Sequence, residues 1–179
     1  AFLGGIAENF NSNLVLHGNE YTVAEADEFD RSFLRLSPNI ACITSMDADH
    51  LDIYGDEQHL IEGFHQFAGK IKEGGSLIVR NGLAIAGETF GLEDDSDYSF
   101  QHIRIVDGVY HFDFKYKGGI YKDYTFLKPG RHNLLNALAA VSMAVKAGFA
   151  PEALLPHLAT FKGVKRRFSY IIKEKNRVF

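Results

Sequence analysis

Two dense acidic stretches crowd together groups that could bind a cation or move a proton. Glu25-Ala26-Asp27-Glu28-Phe29-Asp30 follows the β-prone run Tyr21-Thr22-Val23-Ala24. Asp47, Asp49, His50 and Asp52 follow the apolar run Asn39-Ile40-Ala41-Cys42-Ile43-Thr44. Carboxylates crowded beside an imidazole repel unless a divalent cation or a metal-bound phosphate balances the charge. In an open parallel sheet, ligands bind beyond the carboxyl ends of the strands. If the two runs are neighbouring strands, both clusters face one crevice. Solvated loop acids at strand ends would give the same letters, and spacing does not separate the two readings.

Two further stretches bear on chemistry. Gly130-Arg131-His132-Asn133-Leu134-Leu135-Asn136 opens a strongly apolar segment. Asparagines at i and i+3 share a helix face, and a carboxamide pairs a donor with an acceptor, as the adenine edge requires. An asparagine near a helix start also serves simply to satisfy free N–H groups. Gly163-Val164-Lys165-Arg166-Arg167-Phe168 is a basic cluster in a chain of net charge −4. An arginine there would stabilise a transferring phosphoryl group; without a nucleotide, it is surface charge.

The elements that must position these groups read as α/β. Continuous apolar runs at 39–44 and 76–79 suit strands buried on both faces of a parallel sheet. Leu60, Ile61, Phe64, Phe67, Ala68 and Ile71 fall at helical spacing within 56–71, with Gly74-Gly75 as the stop. Strands are expected at 14–16 and 21–24 around a Gly18-Asn19 turn, with residues 1–12 as a loop or frayed edge. Residues 97–126 alternate with period 2 and are rich in aromatics, which predicts an antiparallel meander attached to the core as a small sheet. Residues 132–147 predict a largely buried helix capped by Gly148, and Pro151 opens the next, with a break or a short helix at Pro156.

Composition narrows the class. With 46% hydrophobic and 23% charged residues the chain is an ordinary globular one. A mildly acidic chain without a basic stripe is a poor nucleic-acid binder. No apolar run approaches the roughly 18–20 residues of a membrane span. One cysteine, Cys42, allows no internal disulfide and points to a reducing compartment. The sequence opens at Ala1 and stops at Phe179 inside an apolar–polar alternation, so it is expected to be part of a longer protein.

Taken in order, four stretches resemble the Mur ligase family, in particular its alanine-adding branch. They are Glu25-Ala26-Asp27-Glu28-Phe29-Asp30 with Ser32-Phe33, and Thr44-Ser45-Met46-Asp47-Ala48-Asp49-His50-Leu51-Asp52 with Tyr54. The others are Gly130-Arg131-His132-Asn133-Leu134-Leu135-Asn136-Ala137 and Phe161-Lys162-Gly163-Val164-Lys165-Arg166-Arg167-Phe168. The resemblance implies a central ATP-binding domain of P-loop-NTPase type across residues 1–179, with the meander at 97–126 inside it. It implies ATP and Mg²⁺ as cofactors, and L-alanine and UDP-N-acetylmuramate as partners. The implied reaction makes an amide bond through an acyl phosphate, in cytoplasmic peptidoglycan synthesis.

The same resemblance implies roles residue by residue. Glu25 and His50 are the Mg²⁺ ligands, flanked by Asp49 and Asp52. Asn133 and Asn136, with His132 beside them, are adenine contacts, and Arg167 reaches the ATP phosphates. Asp27, Glu28 and Asp30 shape the substrate side. The family's Gly-x-x-Gly-Lys-Thr/Ser loop does not occur in these 179 residues, nor do the UDP-binding and C-terminal domains. Relatives of other branches carry a modified lysine a dozen or more residues after the metal-binding histidine. Here Glu62-Gly63-Phe64-His65-Gln66-Phe67 stands instead, with no lysine before Lys70. Three alternatives remain: a tripeptide-recycling ligase of the same family, a metal-dependent hydrolase built on the acids and His50, and a non-catalytic binding module using the aromatic meander.

Overall fold

The central sheet owes its order to strands whose alternate residues are apolar on both faces. The computed structural model describes residues 1–47, 54–165, 173–174 and 177–178. Strands β3 (Ile40–Ile43), β4 (Ser76–Arg80), β5 (Glu88–Leu92) and β6 (Tyr98–Val106) run parallel, in that spatial order. In β4, Ile78 and Val79 are both buried yet belong to opposite apolar clusters, as a strand covered on both sides requires. β6 then pairs antiparallel with β7 (Val109–Tyr116), and β7 with β8 (Gly119–Phe126). The expected α/β class with a mostly parallel sheet and an antiparallel meander is therefore present. The meander is continuous with the parallel strands in one six-stranded sheet rather than a separate one.

Helix α1 (Glu57–Ala68) connects β3 to β4 and covers one face. Asp56 is its N-cap, its carboxylate accepting from the His59 N–H at 2.9 Å. Phe67 joins Phe33, Ala41, Ile43 and Val79 in the apolar cluster on that face. The helix ends at Ala68, several residues before Gly74-Gly75. Those glycines serve the entry to β4 instead: Gly74 has φ +74°, and a Cβ on Gly75 would lie 2.5 Å from the Asn39 carbonyl oxygen.

Helix α2 (Arg131–Lys146) covers the opposite face. Its Leu134, Leu138, Val141 and Val145 pack on Phe90, Tyr98, Phe100, Phe112, Phe114, Tyr124 and Phe126 of the sheet. It ends as expected at Gly148. The Gly148 N–H donates to Val145 O (3.0 Å) and the Phe149 N–H to Ala144 O (3.1 Å), with Gly148 at φ +100°. Helix α3 (Pro151–Thr160) has Pro151 in its first turn and lies against β8, where the Tyr124 hydroxyl donates to Pro151 O. It runs through Pro156 without a break. Residues 152 and 156 are both exposed, so water can take the carbonyl that Pro156 leaves without an N–H.

The first 25 residues depart from the sequence reading. The segment 1–12 is not a loop: β1 (Phe2–Ala7) pairs antiparallel with β2 (Ser12–Leu14), and the turn between them spans 8–11 rather than Gly18-Asn19. The run 21–24 makes only a parallel bridge, Ala24 to Phe2, and does not join the main sheet. Close packing explains why glycines stand in β1. A Cβ on Gly4 would lie 2.6 Å from a Glu25 carboxylate oxygen, and one on Gly5 would lie 2.5 Å from Val164. A short antiparallel pair, β9 (Lys173–Glu174) with β10 (Arg177–Val178), completes the described elements.

Candidate functional site

The carboxyl ends of β4 and β5 open into a cleft of about 370 Å³, bordered on its far side by the start of α2. Phe90, Leu92 and Leu135 supply its apolar wall, and Arg80, Asn81, Asp94, Arg131 and His132 its polar rim. That volume lies in the range of small-molecule pockets, and the strand ends are where an α/β sheet places them. Asp94 is fixed there: the Asn81 carboxamide donates to its Oδ2 (3.0 Å) and the Ser96 N–H to its Oδ1 (3.0 Å). Partial burial pushes its carboxyl up, but the bonds from Ser96 and Asn81 outweigh this and hold it below the usual carboxylate range. Gly91 makes room for it, since a Cβ would fall 1.8 Å from the Asp94 carboxylate. A fixed anion, a carboxamide and an imidazole around an apolar wall suit a flat, polar-edged ring.

His132 lines this cleft, whereas Asn133 and Asn136 do not. The Asn133 side chain donates to Pro129 O at 2.6 Å, across the helix start, and Asn136 is exposed on the outer face. Gly130, at φ +95°, is the N-cap in place of an asparagine.

A second cleft, of about 290 Å³, lies beyond β3. Ala26 and Glu28 of the first acidic stretch face Thr44, Ser45 and Asp47 of the second across it, over a floor that includes Phe33, Cys42 and Phe64. The structure thus brings parts of the two acidic stretches together. Their carboxylates nevertheless do different things. Asp27 accepts from the Phe29 N–H and Asp30 from the Ser32 N–H, each at 2.9 Å, so these two build the turn. Hydrogen bonds from the Ser32 side chain and N–H hold the Asp30 carboxyl below the ordinary carboxylate range. The Ser45 hydroxyl donates to Asp47 Oδ2 at 2.5 Å. Burial pushes the Cys42 thiol up to about 12, which keeps it protonated and unreactive.

Glu25 points away from this cleft toward β1, where it accepts from the Gly4 N–H at 2.6 Å. Among the described residues that neutral N–H is the one hydrogen-bond donor to Glu25, and a carboxylate oxygen is a hard donor of the kind a divalent cation takes. Among the described residues, no three His, Cys, Asp or Glu side chains converge as a metal site. Asp49, His50, Asp52 and Arg167 lie outside the described residues.

The sequence reading missed Asn81 and Asp94. A signal existed: Arg80-Asn81-Gly82 is a polar turn directly after the apolar run 76–79, the position at which an open parallel sheet offers ligand contacts.

The chain is similar in sequence and fold to known proteins. The Mur ligase middle domain family matches residues 8–144. UDP-N-acetylmuramate–L-alanine ligase of Christiangramia forsetii is 54% identical over 99% of this chain and 39% of its own length. The protein of the same name from Flavobacterium psychrophilum is 53% identical over 100% of this chain and 40% of its own. The chain therefore spans about two fifths of the length of these relatives. Among solved structures, UDP-N-acetylmuramate–alanine ligase of Thermotoga maritima superposes with a TM-score of 0.80 at 28% identity, covering 97% of this chain and 41% of that one. Among the described residues no helix is long and apolar enough to cross a membrane. With its family match covering most of the sequence, this chain belongs to the Mur ligase family, and the part matched is that family's middle domain.

Proposed function

We propose that this chain is the central domain of a cytoplasmic ATP-dependent ligase that joins L-alanine to UDP-N-acetylmuramate in peptidoglycan synthesis. The observation that carries the reading is the identity of 54% and 53%, over practically the whole chain, to relatives bearing that enzyme's name. The tripeptide-recycling ligase has weaker support, since its solved relative from Neisseria matches at 24% identity and speaks for the fold alone.

A carboxylate is a poor electrophile, and transfer of a phosphoryl group from ATP gives it a leaving group. The amine of the amino acid then attacks the acyl carbon and inorganic phosphate departs. Catalysis of both steps rests on alignment and on stabilising charge as it develops. In this reading the cleft beside α2 receives the adenine, with His132 against the ring and Asp94 fixed at its edge; Asn133 and Asn136 border the same helix start. Glu25 and His50 hold Mg²⁺, which when bound neutralises phosphoryl oxygens. Glu28 and Asp47 face the carboxylate substrate's side, and Arg167 meets the phosphates.

The test uses the full-length protein. It should release phosphate only when ATP, L-alanine and UDP-N-acetylmuramate are all present. Glu25→Ala, His50→Ala and Arg167→Ala should each lower kcat by at least about 100-fold, the scale of losing a group that stabilises transition-state charge. Phosphate release without the amino acid, or near-normal turnover in all three variants, would overturn the reading.

A further inference from the structure

Tyr54 is the first described residue after the second acidic stretch, and it is only 5% exposed. Its hydroxyl donates to Glu28 O at 2.7 Å, a contact spanning 26 residues. The same carbonyl accepts from the Arg31 N–H at 3.0 Å, so both of its acceptor positions are filled. Arg31 sits at φ +60°, a conformation unusual for a residue with a long side chain, and its guanidinium lies 5.1 Å from the centre of the Tyr54 ring. The ring edge rests on α1 at Gly63, where a Cβ would come within 3.3 Å of Cε1. Tyr54 thus touches the first acidic turn, the 3-10 turn Ser32–Arg35 through its neighbour Arg31, and the helix behind both.

We propose that Tyr54 is a positioning residue, a latch that holds the acidic turn 25–30 against α1. Glu28 of that turn and Phe64 and Phe67 of α1 line one cleft, so the latch fixes one wall of it relative to the other. Burial raises the phenol above its ordinary range, so it remains a donor throughout the working pH range. Among the described residues, the Asp27 and Asp30 carboxylates accept only from groups of their own turn and do not reach α1.

The kinetic part of the test rests on the ligase reading; the exchange part does not. In the full-length protein, Tyr54→Phe removes one oxygen. Amide hydrogen exchange at residues 28–32 should quicken about fivefold or more, the scale of one lost hydrogen bond. The kcat should fall about fivefold while KM for ATP stays within about twofold, because the latch arranges the reacting side rather than the nucleotide. Tyr124→Phe is the control. It also loses a hydroxyl bonded to a backbone carbonyl, Pro151 O, but in the core on the other face of the sheet. It should leave both readouts unchanged. If Tyr54→Phe fails to fold, Arg31→Gly carries the test. It relieves the left-handed backbone yet removes the cation over the ring, and the latch requires faster exchange at the same amides. Wild-type exchange in the latch variants, an unchanged kcat, or equal effects from Tyr124→Phe would overturn the proposal. A full-length protein that forms no amide bond at all would sink the ligase reading while the exchange result still decides the latch.

Discussion

Replacing Gly4 by alanine tests, with one methyl group, whether the Glu25 carboxylate must stay where it lies. Gly4 is not in the left-handed region, so its backbone accepts alanine without strain. The added Cβ would stand 2.6 and 2.8 Å from the two carboxylate oxygens and 2.9 Å from Cδ. Ordinary contact begins near 3.4 Å, so the carboxylate must retreat by at least 3.4 − 2.6 = 0.8 Å. Moving also breaks the 2.6 Å bond from the Gly4 N–H. At an exposed site that bond contributes about 1 kcal/mol or less, and the end of a glutamate side chain shifts easily. For a protein of this size such a loss lowers the melting temperature by no more than about 3 °C. Catalysis is far less tolerant, since a misplacement near 1 Å costs on the order of 100-fold. The full-length Gly4→Ala enzyme should therefore lose about 10- to 100-fold in kcat while its melting curve hardly moves. Activity within twofold of wild type would refute the placement of Glu25 in the reaction. A collapse in stability would refute the claim that the methyl meets only the carboxylate.

Other outcomes follow from the core and the titrating groups. Leu138→Ala, at a fully buried position between α2 and the sheet, should cost about 3 kcal/mol and lower the urea midpoint with an unchanged slope. Cys42 should react with iodoacetamide at pH 8 at least about 100-fold more slowly in the native protein than in urea, because burial lifts its thiol to about 12. Glu88 is subject to burial that would raise its carboxyl, but bonds from Lys146 and Tyr98 prevail and lower it. A depressed carboxyl stabilises the fold above its unfolded-state value and loses that contribution as pH falls through the folded one. Glu88→Gln should accordingly be less stable than wild type near neutrality. The gap should narrow on acidification below the usual carboxylate range; a gap that stays constant with pH would contradict the assignment.

Local signals carried the sheet and helices wherever packing agreed with them. The apolar runs at β3 and β4 are buried on both faces, and such runs need no partner information to be recognised. The aromatic alternation of 97–126 became β6, β7 and β8 for the same reason. β1 was illegible because its reason for existing is remote. Its glycines fit the carboxylate of Glu25 and the side chain of Val164, contacts that no window of neighbouring residues contains. The Gly18-Asn19 signal is a real turn preference, but the segments it separates do not pair with each other. In the site, the four motifs gave the family and the regions, whereas the work of single carboxylates was hidden. Asp27, Glu28 and Asp30 look alike as letters; two of them close turns on neighbouring N–H groups and the third faces a cleft, a division set by backbone direction. Asp94 escaped notice because its fixation needs Asn81 from another strand end and the missing side chain of Gly91.

β6 takes a parallel partner along one edge and an antiparallel partner along the other. The meander therefore cannot peel away as a flap without unzipping the strand that the parallel part of the sheet also depends on. Heat or mechanical load applied to the β7–β8 hairpin is transmitted sideways into β5 and the cleft at its end. This half of the molecule should melt as one cooperative block, and damage to the aromatic hairpin should register at the cleft beyond β5 before any part comes loose.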